Sequence, residues 1–284
     1  MRWSDGRERG RGLELFVRRV VEPPAPPVLL LHGLGVGGAV WQAFARRLLP
    51  DLAAVAPDLR GHGQSDAPPD GYEPADYASD LAELLLSTAT VAPPVGQVMP
   101  GGSAPRPGAS SSAAPIVGHS LGALVAVALA DLRPELVAWL VLLDPPLDAE
   151  RRNPDVSTVF RLRHAPAGEL EAYLLANNPG GGQHLAATLA RLFRQASDAA
   201  FRAQLDHPPG SPETWDRAPR VHQPCLVLQA DPEHGGLLGD AAADAFVARL
   251  PNGRRQKLHG AAHALHATEP DTVARAILDF HRHL

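Results

Sequence analysis

Four short apolar runs, each cut off by a polar or turn residue, constrain this chain more than any other feature. They are "PPVLLLHG" (26–33), "LAAVAPD" (52–58), "LVLLDPP" (140–146) and "PCLVLQADP" (224–232). A strand with one wet face alternates apolar and polar residues. These runs are continuous, so they read as strands buried on both faces, the pattern of a parallel sheet covered by helices. Segments with apolar residues three and four apart lie between and after them: "GAVWQAFARRLL" (38–49), "PADYASDLAELLLST" (74–88), "LGALVAVALADL" (121–132) and "PDTVARAILDFHRHL" (270–284). Strand alternating with helix implies an α/β fold with right-handed crossovers. The opening "RWSDGRERGRGLELFVRRV", with Asp5-Gly6 and Gly12, predicts an antiparallel edge hairpin.

Two stretches break the alternation. Residues 92–115 are rich in Pro, Gly, Ser and Ala, with little to pack, and read as a flexible insertion. Residues 146–222 carry helical patterns, notably "GELEAYLLANN" and "QHLAATLARLFRQASDAAFRAQL", without a convincing strand. An excursion of that kind between two strands predicts a lid, and Phe160, Leu174, Leu175, Leu192, Phe193 and Trp215 supply more apolar surface than a solvated linker needs. The expected organisation is a core of 1–145 and 223–284 and a helical cap of 146–222.

Composition narrows the function. Hydrophobic residues make up 45% of the 284 and charged ones 20%, enough to bury a full core. A net charge of −5 gives no electrostatic footprint for nucleic acid. The longest apolar stretches fall far below the roughly 20 residues of a membrane span, so no membrane partner is expected. The N-terminal "MRWSDGRERGRG" has no apolar core of a secretory signal, and the one cysteine, Cys225, sits in "PCLVLQA" as core filler. A cytoplasmic protein acting on a small molecule is the expectation; composition says nothing of its oligomeric state.

The chemistry centres on "PIVGHSLGALVAVALA" (115–130). Gly118 and Gly122 flank Ser120 where a strand-like run meets a helix. A helix-capping serine needs neither glycine. A nucleophile on a strained strand-to-helix turn needs both, because the backbones approach closely there. A serine hydroxyl requires a base, and the base an orienting group. "LHGAAHALHATEP" (258–270) offers His259, His263 and His266, of which His263 falls mid-loop and is the expected base. The spacing lacks the Glu of H-E-x-x-H, so no metal is expected. Asp231, directly after "LVLQA", is the expected orienting carboxylate and completes the chain order Ser…Asp…His; Asp144, after "LVLL", is its rival. The backbone amides of Leu121, just after the serine, and of Leu34, in the glycine-rich "LLLHGLGVGG" (29–38), are the expected oxyanion donors. That loop matches neither the P-loop nor the full dinucleotide fingerprint, so no cofactor is expected.

Taken together, "LLLHGLG", "PDLRGHGQSD" (57–66), "VGHSLG", "LVLQADP" and the final histidine loop resemble the α/β-hydrolase superfamily in residue type and order. The resemblance implies an eight-stranded, mostly parallel sheet flanked by helices, with a helical cap after the sixth strand. It implies that Arg60 and His62 shape a loop rather than react. Ala262 stands before His263 where the family usually has glycine. The expected activity is that of a serine hydrolase cleaving a carboxylic ester or lactone of a small, largely apolar molecule through an acyl-enzyme. Thioester, carbon–carbon and perhydrolysis chemistry on the same triad, and a ligand sensor on a hydrolase scaffold, are the alternatives.

Overall fold

The inner strands of the sheet split their side chains between two cores, residue by residue. In the computed structural model, which describes residues 1–22, 25–89, 113–148, 155–166, 168–177, 182–206 and 212–284, Leu29 and Leu31 pack into one apolar cluster and Val28 and Leu30 into the other. Leu140 and Leu142 oppose Val141 and Leu143 in the same way, and Val227 opposes Leu226 and Leu228. The period of two points successive side chains to opposite faces, and both faces are covered, which is why the runs carry no polar alternation. Each fully buried Leu or Val stabilises the fold by about 1.5–3 kcal/mol relative to exposure.

The strands are β1 (Arg2–Arg9), β2 (Glu14–Glu22), β3 (Pro27–Leu31), β4 (Ala53–Pro57), β5 (Ala114–His119), β6 (Val137–Leu143), β7 (Cys225–Gln229) and β8 (Gly253–Lys257). They form one sheet in the order β1-β2-β4-β3-β5-β6-β7-β8. β1 pairs antiparallel with β2, and β2 with β4; every other pairing is parallel. The edge hairpin is present. Its turn runs through Gly12 at φ 71°, with the Gly10 amide donating to the Leu13 carbonyl at 2.8 Å, while Asp5 and Gly6 lie inside β1.

The helices are α1 (Gln42–Ala45), α2 (Pro74–Ala89), α3 (Leu121–Leu132), α4 (Asp155–Leu162), α5 (Glu169–Asn177), α6 (Gly182–Gln195), α7 (Asp198–Asp206), α8 (Pro212–Arg217), α9 (Asp240–Val247), α10 (Leu265–Thr268) and α11 (Pro270–Arg282). The helix expected over 38–49 is shorter: a 3₁₀ turn at Gly38–Trp41 runs into the single turn of α1. α3 is apolar all round and buried from Leu121 to Ala130, as a helix wedged between the sheet and other helices must be. β5 begins at Ala114, so the last residues of the 92–115 stretch are strand; the rest of that stretch, from 92 to 112, lies outside the described residues.

The helical insertion follows β6. Val159, Leu162, Leu170, Leu174, Ala186, Ala190, Ala196 and Phe201 of 155–206 share one cluster, against which Leu34 packs. α8 instead packs on α3, where Trp215 meets Phe246 edge-on at 5.4 Å and donates from Nε1 to the Leu147 carbonyl at 3.2 Å. The Ser197 amide donates to the Gly61 carbonyl at 2.6 Å, tying the insertion to the loop after β4. Among the described residues no helix is long and apolar enough to cross a membrane.

Candidate active site

Only two non-glycine residues have positive φ among the described residues: Ser120 at 53° and Asp144 at 41°. Both stand at the C-terminal ends of neighbouring strands, β5 and β6. Such conformations cost of order 1–3 kcal/mol each and persist where surrounding contacts over-determine them. Ser120 is held by its amide, which donates to the Leu143 carbonyl at 3.0 Å, and by its carbonyl, which accepts the Ala123 amide at 2.9 Å. The flanking glycines are required by contact. A Cβ on Gly118 would lie 2.2 Å from the Gly122 oxygen, and one on Gly122 would lie 2.3 Å from the Leu31 oxygen of β3. The serine therefore tops a sharp turn, with the positive end of α3 directly behind it.

His263 lies in the loop between β8 and α10. Its Nδ1 is 2.7 Å from Oδ2 of Asp144. The expected partner was Asp231, and the structure does not bring it to His263. Asp144 is fully buried, with Oδ1 accepting the Ala230 amide at 3.3 Å and Oδ2 the Leu237 amide at 2.8 Å. Asp231 accepts the Glu233 amide on Oδ1 at 3.1 Å and the Gly260 amide on Oδ2 at 2.8 Å, and ends near His234 and Lys257. The Gly260 and Glu233 amides hold its carboxyl below the usual carboxylate range. The physical reason lies in the next residues. Asp144 is followed by Pro145 and Pro146, which have no N–H, so its carboxylate finds no local donor. Asp231 is followed by Pro232 and Glu233 and caps the short 3₁₀ turn Pro232–His234 with its own side chain. A carboxylate only accepts, so Nδ1 of His263 carries the proton and Nε2 the lone pair. The side chain of His263 is 24% exposed and that of Asp144 0%, which leaves the imidazole reachable and its partner dry.

The other two histidines of the loop do neither job. His259 is exposed. His266 is buried on Trp41, ring centroids 4.4 Å apart, and burial pushes its pKa down to about 3. Among the described residues no group of three His, Cys, Asp or Glu could hold a metal ion.

The glycine-rich loop after β3 abuts the serine: a Cβ on Gly33 would lie 3.3 Å from Ser120 Cβ. His32 sets its path. The Leu59 amide donates to Nε2 at 2.9 Å, so Nδ1 carries the proton and donates to the Gly33 carbonyl at 2.8 Å. Burial keeps this ring neutral, its pKa lowered to about 4. In a trans peptide the C=O and N–H point opposite ways. Gripping the Gly33 oxygen therefore directs the Leu34 N–H away from His32. Further along, Asp58 accepts the Gly38 amide at 2.7 Å, the Gln64 amide at 2.9 Å and Nη1 of Arg18 at 2.7 Å. Arg60 pairs with Asp80 through Nε and Nη2, and His62 turns Nδ1 to the Arg60 carbonyl. The "PDLRGHGQSD" segment is thus a brace for the loop. Leu121, the other expected donor residue, begins α3 and is buried. From the insertion, Phe193 and Phe201 press on Gly35 so closely that a Cβ there would lie 2.1 Å from the first and 2.7 Å from the second.

His32, Asp58 and His119 carry no role in the expectations from sequence, and Asp144 stands there as the rival of Asp231. The signal for Asp144 was present as the double proline; the others are visible only once strands are ordered.

The elbow on β5, the histidine loop after β8 and the strand order together define an α/β hydrolase. The chain belongs to the alpha/beta hydrolase family, whose pattern it matches over residues 28–276. It is 30% identical over 271 residues to the 2-(acetamidomethylene)succinate hydrolase of Mesorhizobium japonicum, covering 90% of this chain and 87% of that protein. A crystal structure of E-2-(acetamidomethylene)succinate hydrolase superposes with a TM-score of 0.77 at 26% identity, covering 98% of this chain and 99% of that one. An uncharacterized protein of Mycobacterium bovis is 35% identical over 156 residues, 54% of this chain. That match spans 38% of the relative's length, well under half of it.

Proposed function

We propose that this hydrolase works by acyl transfer through a Ser120–His263–Asp144 triad. The observation that carries the reading is the 2.7 Å contact between His263 Nδ1 and the fully buried Asp144, one strand away from the strained Ser120. Asp144 fixes the tautomer that leaves Nε2 as base and stabilises the imidazolium that forms. Nε2 takes the Ser120 proton as Oγ attacks the substrate carbonyl, then returns it to the leaving group. Water, deprotonated by the same Nε2, releases the acyl group. The amides of Leu34 and Leu121 bind the oxyanion, each donor being worth about 10²–10³-fold in turnover.

The substrate in this reading is a carboxylic ester or lactone of a small molecule. Phe193, partly buried and pressed on the Gly35 loop, favours an apolar portion. A second reading is cleavage of an N-acyl group, supported by the acetamido group in the compound for which the Mesorhizobium hydrolase is named. With one cysteine, buried, the chain builds no internal disulfide, which suits a cytoplasmic location. The test is labelling with a fluorophosphonate, followed by turnover on matched ester, lactone and N-acyl panels. Ser120 is expected to carry the label, and Ser120→Ala to abolish both labelling and turnover. A labelled Ala variant, or an unlabelled native protein, overturns the assignment; faster turnover on the N-acyl panel selects the second reading.

A further inference from the structure

His119 is the last residue of β5 and the neighbour of Ser120. It is buried, and its Nε2 lies 3.0 Å from the carbonyl oxygen of His263. The carbonyl can only accept, so Nε2 carries the proton. The ring is wedged: its centroid is 4.7 Å from that of His263 and 4.5 Å from that of His266, which itself lies on Trp41. Burial and the neighbouring imidazoles hold it neutral, well below the ordinary histidine pKa.

The chain on either side of His263 has other anchors. The Leu258 amide donates to the Gln229 carbonyl at 2.9 Å, the Asp231 amide to the Ala261 carbonyl at 2.8 Å, and Asp231 holds the Gly260 amide. Beyond it, the Ala267 amide returns to the Ala264 carbonyl as α10 begins. His263 stands between these two anchored segments, and the elbow reaches across to its carbonyl.

We infer that His119 is a positioning residue that ties the main chain of the base to the turn carrying the nucleophile. The inference rests on the reading of Ser120 and His263 as nucleophile and base. Asp144 fixes the His263 ring at Nδ1 alone, about which the ring could still swing. The bond from His119 supplies a second point, and that point belongs to the same rigid turn as Ser120. Misplacement by about 1 Å in such a pair costs up to about 10²-fold in rate.

The experiment follows phosphonylation of Ser120 by a fluorophosphonate and hydrolysis of para-nitrophenyl acetate in native protein, His119→Leu and His119→Gln. His119→Leu is expected to slow labelling and lower kcat by about 10- to 100-fold, with KM moving less than about 3-fold. His119→Gln, which keeps an N–H donor, is expected to recover most of the loss. A Leu variant within about 3-fold of native on both rates overturns the inference. So does a folded Gln variant as slow as the Leu variant. Nitrogen-15 NMR of the native protein tests the bond without any variant: His119 is expected as the Nε2–H tautomer, and the Nδ1–H tautomer would overturn it. Should native protein fail to label while the Nε2–H tautomer is seen, the assignment of Ser120 and His263 has failed and the tie itself stands.

Discussion

β6 and β7 are adjacent parallel strands that end in nearly the same words, "LVLLDP" and "LVLQADP", yet their aspartates have different surroundings. Asp144 turns into positive φ, is sealed from solvent, and meets His263. Asp231 keeps an extended backbone and spends its carboxylate on the amides of Glu233 and Gly260. The difference lies in what each side chain can reach locally. Two prolines strip Asp144 of nearby donors, whereas Glu233 offers Asp231 one two residues away. Both carboxylates accept two backbone amides, but those of Asp144 come from the segment after β7, and its Oδ2 still faces His263. The division of labour is also cooperative: Asp231, through Gly260, anchors the start of the loop whose middle residue Asp144 receives.

Replacing Asp144 is the harshest test of that contrast. Asp144→Asn presents either a carbonyl or an amide to Nδ1, and the amide selects the wrong tautomer. The expected fall in kcat reaches about 10⁴-fold. The backbone amides of Ala230 and Leu237 lose an ionised acceptor as well, so folding is checked by circular dichroism alongside kinetics. A fall of less than about 10-fold in a folded variant would show that His263 works without this carboxylate.

Asp231→Asn is expected to be milder, no more than about 10-fold in kcat, because its effect on His263 passes through the loop rather than the ring. Melting temperature should drop at the same time, as one of the two backbone donors loses its acceptor and the other keeps only a neutral one. If turnover fell as steeply as with Asp144→Asn, the two residues would have exchanged roles relative to their geometry.

How much of this was readable in the residues follows the range of the interactions. β3, β4, β6 and β7 announce themselves as unbroken apolar runs, because burial on both faces leaves no room for polar alternation, whereas the edge strand β8, GRRQK, carries no such run. The serine turn is equally plain, since Gly118 and Gly122 are demanded by backbone contacts within a few residues and with β3. The helix expected over 38–49 is shorter because Asp58, from a distant loop, takes the Gly38 amide and sets a 3₁₀ start. α9, eight residues long, is not among the helices the apolar spacing predicts. The double proline marks Asp144 as the aspartate without a local donor, but that His263 then meets it depends on which loop folds over which strand end, and that is long-range information. His119 and His32 act through carbonyls of other segments or of the next peptide, and a histidine's spacing does not show that.

A double substitution sharpens the contrast further. Both aspartates act on the same loop, so their effects should not add. Once Asp144→Asn has released the ring, anchoring Gly260 matters less, and adding Asp231→Asn is expected to lower kcat by less than about 3-fold more. Stopped-flow acylation in the four proteins of the cycle measures this. Full additivity would mean that Asp231 reaches the reaction by a route independent of His263.

The smallest effect is the share of the pH dependence of stability that Asp231 contributes. Its folded pKa lies below the ordinary carboxylate value, through the Gly260 and then the Glu233 amide. A depressed folded pKa means that the unfolded chain binds the proton more readily. The contribution to stability is therefore complete above about pH 4, the ordinary aspartate range, and fades as pH falls through the lower folded value. The buried histidines behave in the same sense over a higher window. His32 is lowered to about 4 and His62 and His266 to about 3, each by burial. Their contributions begin to fade below about pH 6.5, where the unfolded imidazoles protonate. That loss is common to native protein and Asp231→Asn and cancels in the difference of their melting temperatures. The difference is expected to stay level from pH 7 to about pH 5 and then to narrow as pH drops below about 4. Thermal scans at half-unit steps in matched ionic strength would show it. A difference that stays constant down to pH 3 would mean that the Asp231 carboxylate contributes no more than a neutral acceptor does, and that its turn, rather than its charge, separates it from Asp144.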